Sequence, residues 1–173
     1  MRQILNLGSG ADSTIVSAVS VDKNPAFRPD IVHDLNVFPW PLETGTFDEV
    51  YCQNILESLS DIVRVMEEIH RVSKRGALIH IDTPHFSWAE SFTDPTRIHH
   101  FGFFSFDGFM DEKKGGVHTS LRFRKQSALL FFHRAVISQL VWHLASRWPD
   151  IYEKHWAWIF PARCMSFELE VLK

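Results

Sequence analysis

The sequence predicts an α/β domain built on an open, mostly parallel sheet, and three observations carry that prediction. Short apolar runs of strand length recur from the N-terminus onward, several stop at glycine or at an acidic residue, and an amphipathic stretch of helical period separates two of them. Strands that end in turn-forming and acidic residues describe a sheet that binds ligands beyond its carboxyl ends. With 173 residues, 45% of them hydrophobic, the chain suffices for one contiguous core. It reads as a single domain of two halves, residues 1–84 and residues 85–173.

Each element follows from its residues. The run 4–7 is apolar and stops at Gly8-Ser9-Gly10, a buried strand entering a tight turn. Runs at 19–21 and 31–32 end at Asp22 and at His33-Asp34, placing two carboxylates at strand ends. Phe38-Pro39-Trp40-Pro41 is a rigid, extended connector, and 46–52 reads as a fourth strand. Across 60–74, Ile62, Val65, Met66, Ile69 and Val72 keep helical spacing, with Ser60 or Asp61 as N-cap and Gly76 just past the end. A fifth buried strand at 77–81 is stopped by Asp82-Thr83-Pro84-His85. Residues 86–116 read as loop and short helix. A strand at 121–132, a helix at 135–147 and an alternating strand at 166–172 complete the chain, the late strand pair adding an antiparallel edge.

Composition narrows the function classes. No run approaches the roughly 20 apolar residues of a membrane helix, and the chain enters a strand at once without a signal-peptide core, so no membrane span and a cytoplasmic location are expected. Cys52 and Cys164 lack CxxC partners and read as reduced thiols. A net charge of -3 gives no footprint for nucleic acid, which leaves a small molecule as the expected partner. The 15 Phe and 6 Trp crowd the second half; they build a ring-rich core, with an aromatic pocket or the subunit interface of a homodimer as the alternatives.

The chemistry starts at the glycine turn. A Cβ at Gly8 or Gly10 would obstruct close approach of the backbone to a ligand, and Asp22 at the end of the second strand offers two acceptor oxygens to the vicinal hydroxyls of a ribose. In dinucleotide folds a helix fits between glycines and acid, which lie about 20 residues apart. Here only 11–21 intervene, too few for a helix and a strand, so the helix N-terminus that would hold a pyrophosphate is missing. A nucleoside cofactor without phosphates fits better, and S-adenosylmethionine is one. Asp34 is then placed to accept from an adenine amino group, with Leu35 against the ring; turn capping is the alternative use of both aspartates.

Taken in order, these segments resemble the class I S-adenosylmethionine-dependent methyltransferases, and among them the small type 11-like proteins. The resemblance rests on Leu5-Asn6-Leu7-Gly8-Ser9-Gly10, Val21-Asp22-Lys23-Asn24-Pro25, Val32-His33-Asp34-Leu35-Asn36 and Phe47-Asp48-Glu49-Val50-Tyr51. It continues through Asn54-Ile55-Leu56-Glu57, the stretch from Glu68 to Gly76, Pro84-His85-Phe86 and Asp94-Pro95-Thr96. It implies a Rossmann-like, seven-stranded sheet whose last strand is antiparallel. It also implies methionine-end binding at Leu7, Gly8, Ser9 and Gly10, ribose contact at Asp22, adenine contact at Asp34 and Leu35, and further cofactor contacts at Gln53 and Asn54. The chain departs from the family pattern in its shortened or missing first helix, and in Ser58 and Arg97, where relatives often carry histidine.

Methyl transfer is an in-line displacement at an activated sulfonium, so positioning supplies much of the catalysis and a base serves only reluctant nucleophiles. For a hydroxyl or amine acceptor the candidates are His85, Asp94, His99 and His100, in or beside the loop after the fifth strand. The aromatic loop 86–109 and the segment 142–160 are expected to line the acceptor pocket. Rival readings are a metal hydrolase built on His80, Asp82 and His85, a nucleic-acid surface at Arg122, Arg124 and Lys125, and a catalytically silent scaffold that keeps the fold.

Overall fold

The computed structural model describes residues 2–11, 15–110, 121–133 and 136–173. Seven strands form one sheet: β1 (Ile4–Leu7), β2 (Val19–Asp22), β3 (Ile31–Val32), β4 (Phe47–Gln53), β5 (Ser73–Pro84), β6 (Arg122–Phe132) and β7 (Ala162–Leu172). Their order is β3-β2-β1-β4-β5-β7-β6. β1 pairs in parallel with β2 and β4, β2 with β3 and β4 with β5, whereas β7 runs antiparallel to both β5 and β6. The Rossmann-like sheet expected from the sequence, with its antiparallel last strand, is the sheet found.

Alternation along the strands defines the core. Leu5, Leu7, Val21, Val50, Ile79 and Phe167 are buried on one face, joined by Val65, Met66, Ile69 and Val72 of α1 (Ile62–Val72). Intervening residues such as Glu49, Tyr51, His80 and Glu168 are half-buried, and their register aligns Tyr51 with His80 and His80 with Glu168. His80 stacks on Tyr51 with ring centroids 4.5 Å apart and lies 3.6 Å from Glu168. That geometry engages His80 away from His85, and among the described residues no group of three potential ligands converges for a metal.

Asp61 caps α1, its Oδ1 accepting the Arg64 N–H at 3.0 Å. Gly76 does not close this helix: α1 ends at Val72, the Ser73 hydroxyl donates to the Ile69 carbonyl at 2.6 Å, and Gly76 lies inside β5 with φ +77. There it serves the irregularity where the register between β4 and β5 shifts between Phe47 and Glu49. β5 also runs past Asp82 to Pro84, because β7 continues to pair with it as far as Cys164. Between β5 and β6 lies α2 (Glu90–Thr93); α3 (Val136–Arg147) packs on β6. Periodicity missed α4 (Pro149–His155), whose one buried residue, Tyr152, gives no stripe to detect, although Pro149 in its first turn is a start signal. Residues 111–116 of the expected loop, and residue 135 of the expected helix, lie outside the described residues.

No helix bridges β3 and β4, so the connector must find its hydrogen-bond partners elsewhere. Trp40 is buried, donating from Nε1 to the Leu35 carbonyl at 3.1 Å and from its backbone to Glu68 Oε2 at 2.7 Å. Arg71, three residues along α1, donates to both Glu68 oxygens (2.8 and 2.7 Å) and to the carbonyls of Leu42 (2.8 Å) and Trp40 (3.2 Å). Burial acts to raise the Glu68 pKa, but the hydrogen bonds from Arg71 and the Trp40 N–H outweigh it and hold the carboxyl below its ordinary range. The stability this contributes is present above the unfolded-state pKa and lost as pH falls through the folded one. Arg71→Met is therefore expected to destabilise the protein by about 2 kcal/mol at neutral pH. Urea unfolding of both proteins over a pH series should show that difference shrinking in acid.

Candidate cofactor and acceptor site

β1 delivers the glycine turn to the carboxyl edge of the sheet. Gly8 and Ser9 donate to the Val21 carbonyl at 2.8 and 3.3 Å, which ties the turn to the end of β2. Gly8 has φ +66, and a Cβ built on it would lie 2.5 Å from Ile55 Cγ1; Gly10 has φ +60, and a Cβ there would meet nothing within 4 Å among the described residues. The turn is thus closed by Ile55 on one side and open at Gly10 on the other. Asp22 spans the opening, accepting the Gly10 N–H on Oδ2 at 2.9 Å and the Asn24 N–H on Oδ1 at 2.8 Å. Each oxygen keeps one lone pair for a further donor. A left-handed turn open at one glycine, beside a carboxylate at a strand end, fits a nucleoside with a vicinal diol.

The other expected cofactor residues divide. Asp34 is exposed, and its Oδ1 accepts from the Asn36 N–H (3.0 Å) and Nδ2 (3.1 Å), a turn cap. Leu35 and Leu7 belong to the hydrophobic core, so Leu7 offers the site its backbone and Leu35 is not an open platform for a ring. Asn54 takes φ +51 and donates its N–H to the Asp82 carbonyl at 2.8 Å, while exposed Gln53 reaches Asp82 Oδ2 at 3.3 Å. Both stand at the end of β4, beside the segment that carries Ile55. Among the described residues no helix lies between Gly10 and Val19.

Of the four candidate bases, three are engaged. His85 is 0% exposed and held at both ring nitrogens: Ser87 contributes its N–H (3.2 Å) and hydroxyl (2.7 Å) to Nδ1, and Nε2 lies 3.1 Å from Glu153 Oε1. The Ser87 N–H needs a lone pair on Nδ1, which directs the ring proton toward Glu153. Asp94 caps its own turn through the Thr96 hydroxyl (2.7 Å) and N–H (2.9 Å), and those hydrogen bonds hold its pKa below the ordinary range, making it a poor proton acceptor. His100 bonds the Ser91 hydroxyl through Nδ1 at 2.9 Å and stacks on Phe92 at 4.1 Å. His99 differs: its Nε2 is buried with no hydrogen-bond partner among the described residues, and its backbone N–H donates to the Glu57 carbonyl at 3.0 Å.

Glu57 itself was not picked out as a site residue from the sequence. It is 2% exposed at the end of the turn after β4, with the Thr83 hydroxyl 3.3 Å from Oε2 and Arg97 Nε 3.6 Å from Oε1. Oε1 has no hydrogen bond among the described residues. Arg97, which stands where relatives often have histidine, also donates to the Glu90 carbonyl at 2.7 Å, so it partners the carboxylate and the loop together. The signal available in the sequence was a charged residue inside the apolar run from Ile55 to Leu59, a pattern that predicts a buried charge with a partner.

The comparisons follow this geometry. Residues 13–81 match the family model described as a methyltransferase domain, type 11. Among solved structures, a SAM-dependent methyltransferase from Archaeoglobus fulgidus superposes with a TM-score of 0.60 at 16% identity, covering 98% of this chain and 86% of its own. One from Mesorhizobium loti gives 0.59 at 13% identity, over 97% of this chain and 90% of its own. The [4+2]-cyclase SpnF gives 0.61 at 14% identity, over 99% of this chain and 74% of its own. No curated protein matches the chain. The fold is that of the class I S-adenosylmethionine-dependent methyltransferases. Residues 13–81 are similar to the methyltransferase domain model, and what the whole chain shares with the solved structures is their fold.

Burial raises the Glu57 pKa above its ordinary range, against the opposing pull of its own backbone N–H, Arg97 and Thr83. A raised carboxyl favours the folded state below the unfolded pKa and loses that advantage as pH rises through the folded value. Glu57→Gln is expected to gain about 1 kcal/mol on the wild type between about pH 4 and about pH 8. Chemical denaturation at the two pH values measures it, and an unchanged difference would show that the carboxyl does not titrate with folding.

Proposed function

We propose that this protein transfers the methyl group of S-adenosylmethionine to a small-molecule acceptor bound over the carboxyl ends of β4 and β5. The observation that carries the reading is the hydrogen bond from the Gly10 N–H to Asp22, which joins the open glycine turn to a carboxylate with acceptor capacity to spare. Gly8, Ser9 and Gly10 hold the methionine end, Asp22 the ribose hydroxyls and Asp34 the adenine amino group. When bound, the cofactor supplies a methyl on a sulfonium, already activated for displacement. The chain's own work is to orient the acceptor and exclude water, for which the loop 86–109 supplies exposed apolar surface through Phe92 and Phe104. Where the acceptor is a hydroxyl or amine, its proton passes to His99 Nε2, and Glu57 Oε1 accepts a hydrogen bond from the acceptor; neither atom has a hydrogen-bond partner among the described residues.

One observation favours a second reading, a binding or scaffold protein that keeps the fold without turnover: His85 and Asp94 are both committed to structure. Calorimetric titration with S-adenosylmethionine, S-adenosylhomocysteine and NAD separates the readings at their first step. Binding of the first two without NAD is expected, and Asp22→Ala should weaken it at least about tenfold. Because the same carboxylate holds Gly10 and Asn24, that variant should also lose about 1–3 kcal/mol of stability. Absence of binding to either cofactor form would remove the methyl-transfer reading. Binding without methylation of any compound in a broad metabolite pool would favour the scaffold.

A further inference from the structure

The net charge of -3 conceals a division. Residues 122–163 contain seven Lys and Arg against two acids, Asp150 and Glu153, a net of +5 that leaves -8 on the rest of the chain. Both acids are engaged, Asp150 by Lys154 at 3.0 Å and Glu153 by His85 at 3.1 Å, and two of the cations pair outside the stretch, Arg124 with Glu170 at 3.1 Å and Lys125 with Asp107; Arg147 and Arg163 are exposed. Arg147 lies over the Trp148 ring at 5.7 Å. The same stretch exposes four of the six tryptophans, Trp142, Trp148, Trp156 and Trp158, together with Ile151 and Ile159. Trp158 and Ile159 are the most open, at 68% and 63%.

We propose that this face docks on the surface of a bilayer containing anionic lipid. Indoles with an apolar body and one N–H donor favour the boundary between headgroups and acyl chains, aliphatic side chains beside them enter the acyl region, and cations meet the lipid phosphates. The exposed isoleucines decide against nucleic acid, whose backbone offers them nothing to bury against. The core of an interface between protein chains is depleted in charge, whereas here arginine stands over an exposed ring. No helix among the described residues is long and apolar enough to cross a membrane, so the attachment is peripheral. Trp158 also packs edge-on against Phe86 at 5.4 Å, which places the docking face next to the loop that follows β5. This inference goes beyond methyl transfer and does not rest on it.

Cosedimentation of the full chain with vesicles of phosphatidylcholine and phosphatidylglycerol, and with vesicles of phosphatidylcholine alone, tests it. Binding to the anionic vesicles is expected, weakened by salt and accompanied by a blue shift of tryptophan emission. The combined substitution Ile151→Ser, Trp158→Ser and Ile159→Ser should lower vesicle affinity at least about tenfold, with melting temperature and S-adenosylmethionine titration as controls for folding. Arg147→Gln with Arg163→Gln should remove most of the preference for anionic lipid. Failure to bind either vesicle, or affinity unmoved by these substitutions, overturns the proposal. So does retention on a single-stranded oligonucleotide, or self-association in analytical ultracentrifugation that the serine variant abolishes, if vesicles are not bound.

Discussion

The Glu68–Arg71 pair on α1 is the interaction on which the N-terminal half depends. Where an ordinary α/β unit sends a helix between successive parallel strands, this chain crosses from β3 to β4 on an extended connector with no internal ladder. One guanidinium and one carboxylate satisfy that connector's backbone, and Trp40 fills the space beneath it. Trp40 in turn fixes Leu35 through its indole N–H, and Leu35 is the residue after Asp34. The position of a carboxylate at the mouth of the sheet is thus tied, through Trp40 and Leu35, to an ion pair on α1.

The loop that leaves β5 uses the same economy of structure. The Glu57 carbonyl accepts the N–H groups of Ile98 and His99, at 2.8 and 3.0 Å, so a turn after β4 anchors the far end of the loop that leaves β5. His85 anchors the near end through Ser87 and joins it to α4 through Glu153. The loop between these anchors is held by buried polar contacts rather than by regular structure, and charged groups buried in pairs are costly to separate.

Much of this was legible in the sequence because it rests on short-range chemistry. The four N-terminal strands, the amphipathic α1 and the antiparallel β7 follow from apolar period and turn residues, and Asp22 from its place at the end of a strand. What was not legible depends on pairing across the chain. The helix end was assigned to Gly76, although that glycine serves a sheet irregularity that only the β4 partner creates. His85 read as a base because its partners, Ser87 and above all Glu153 far along the chain, come together only in the fold. Glu57 was hidden inside an apolar run, and α4 inside an aromatic one.

The contact between Gly8 and Ile55 has an evolutionary consequence. A glycine in left-handed geometry with a neighbouring side chain filling the place of its own Cβ leaves position 8 no independent freedom to drift. Enlarging it demands both a smaller residue at 55 and a backbone that tolerates φ +66, and no single nucleotide change supplies the two together. The two positions are therefore bound to a shared history, and diversification of this site is channelled toward the open side, at Gly10 and along the rim beyond Asp22.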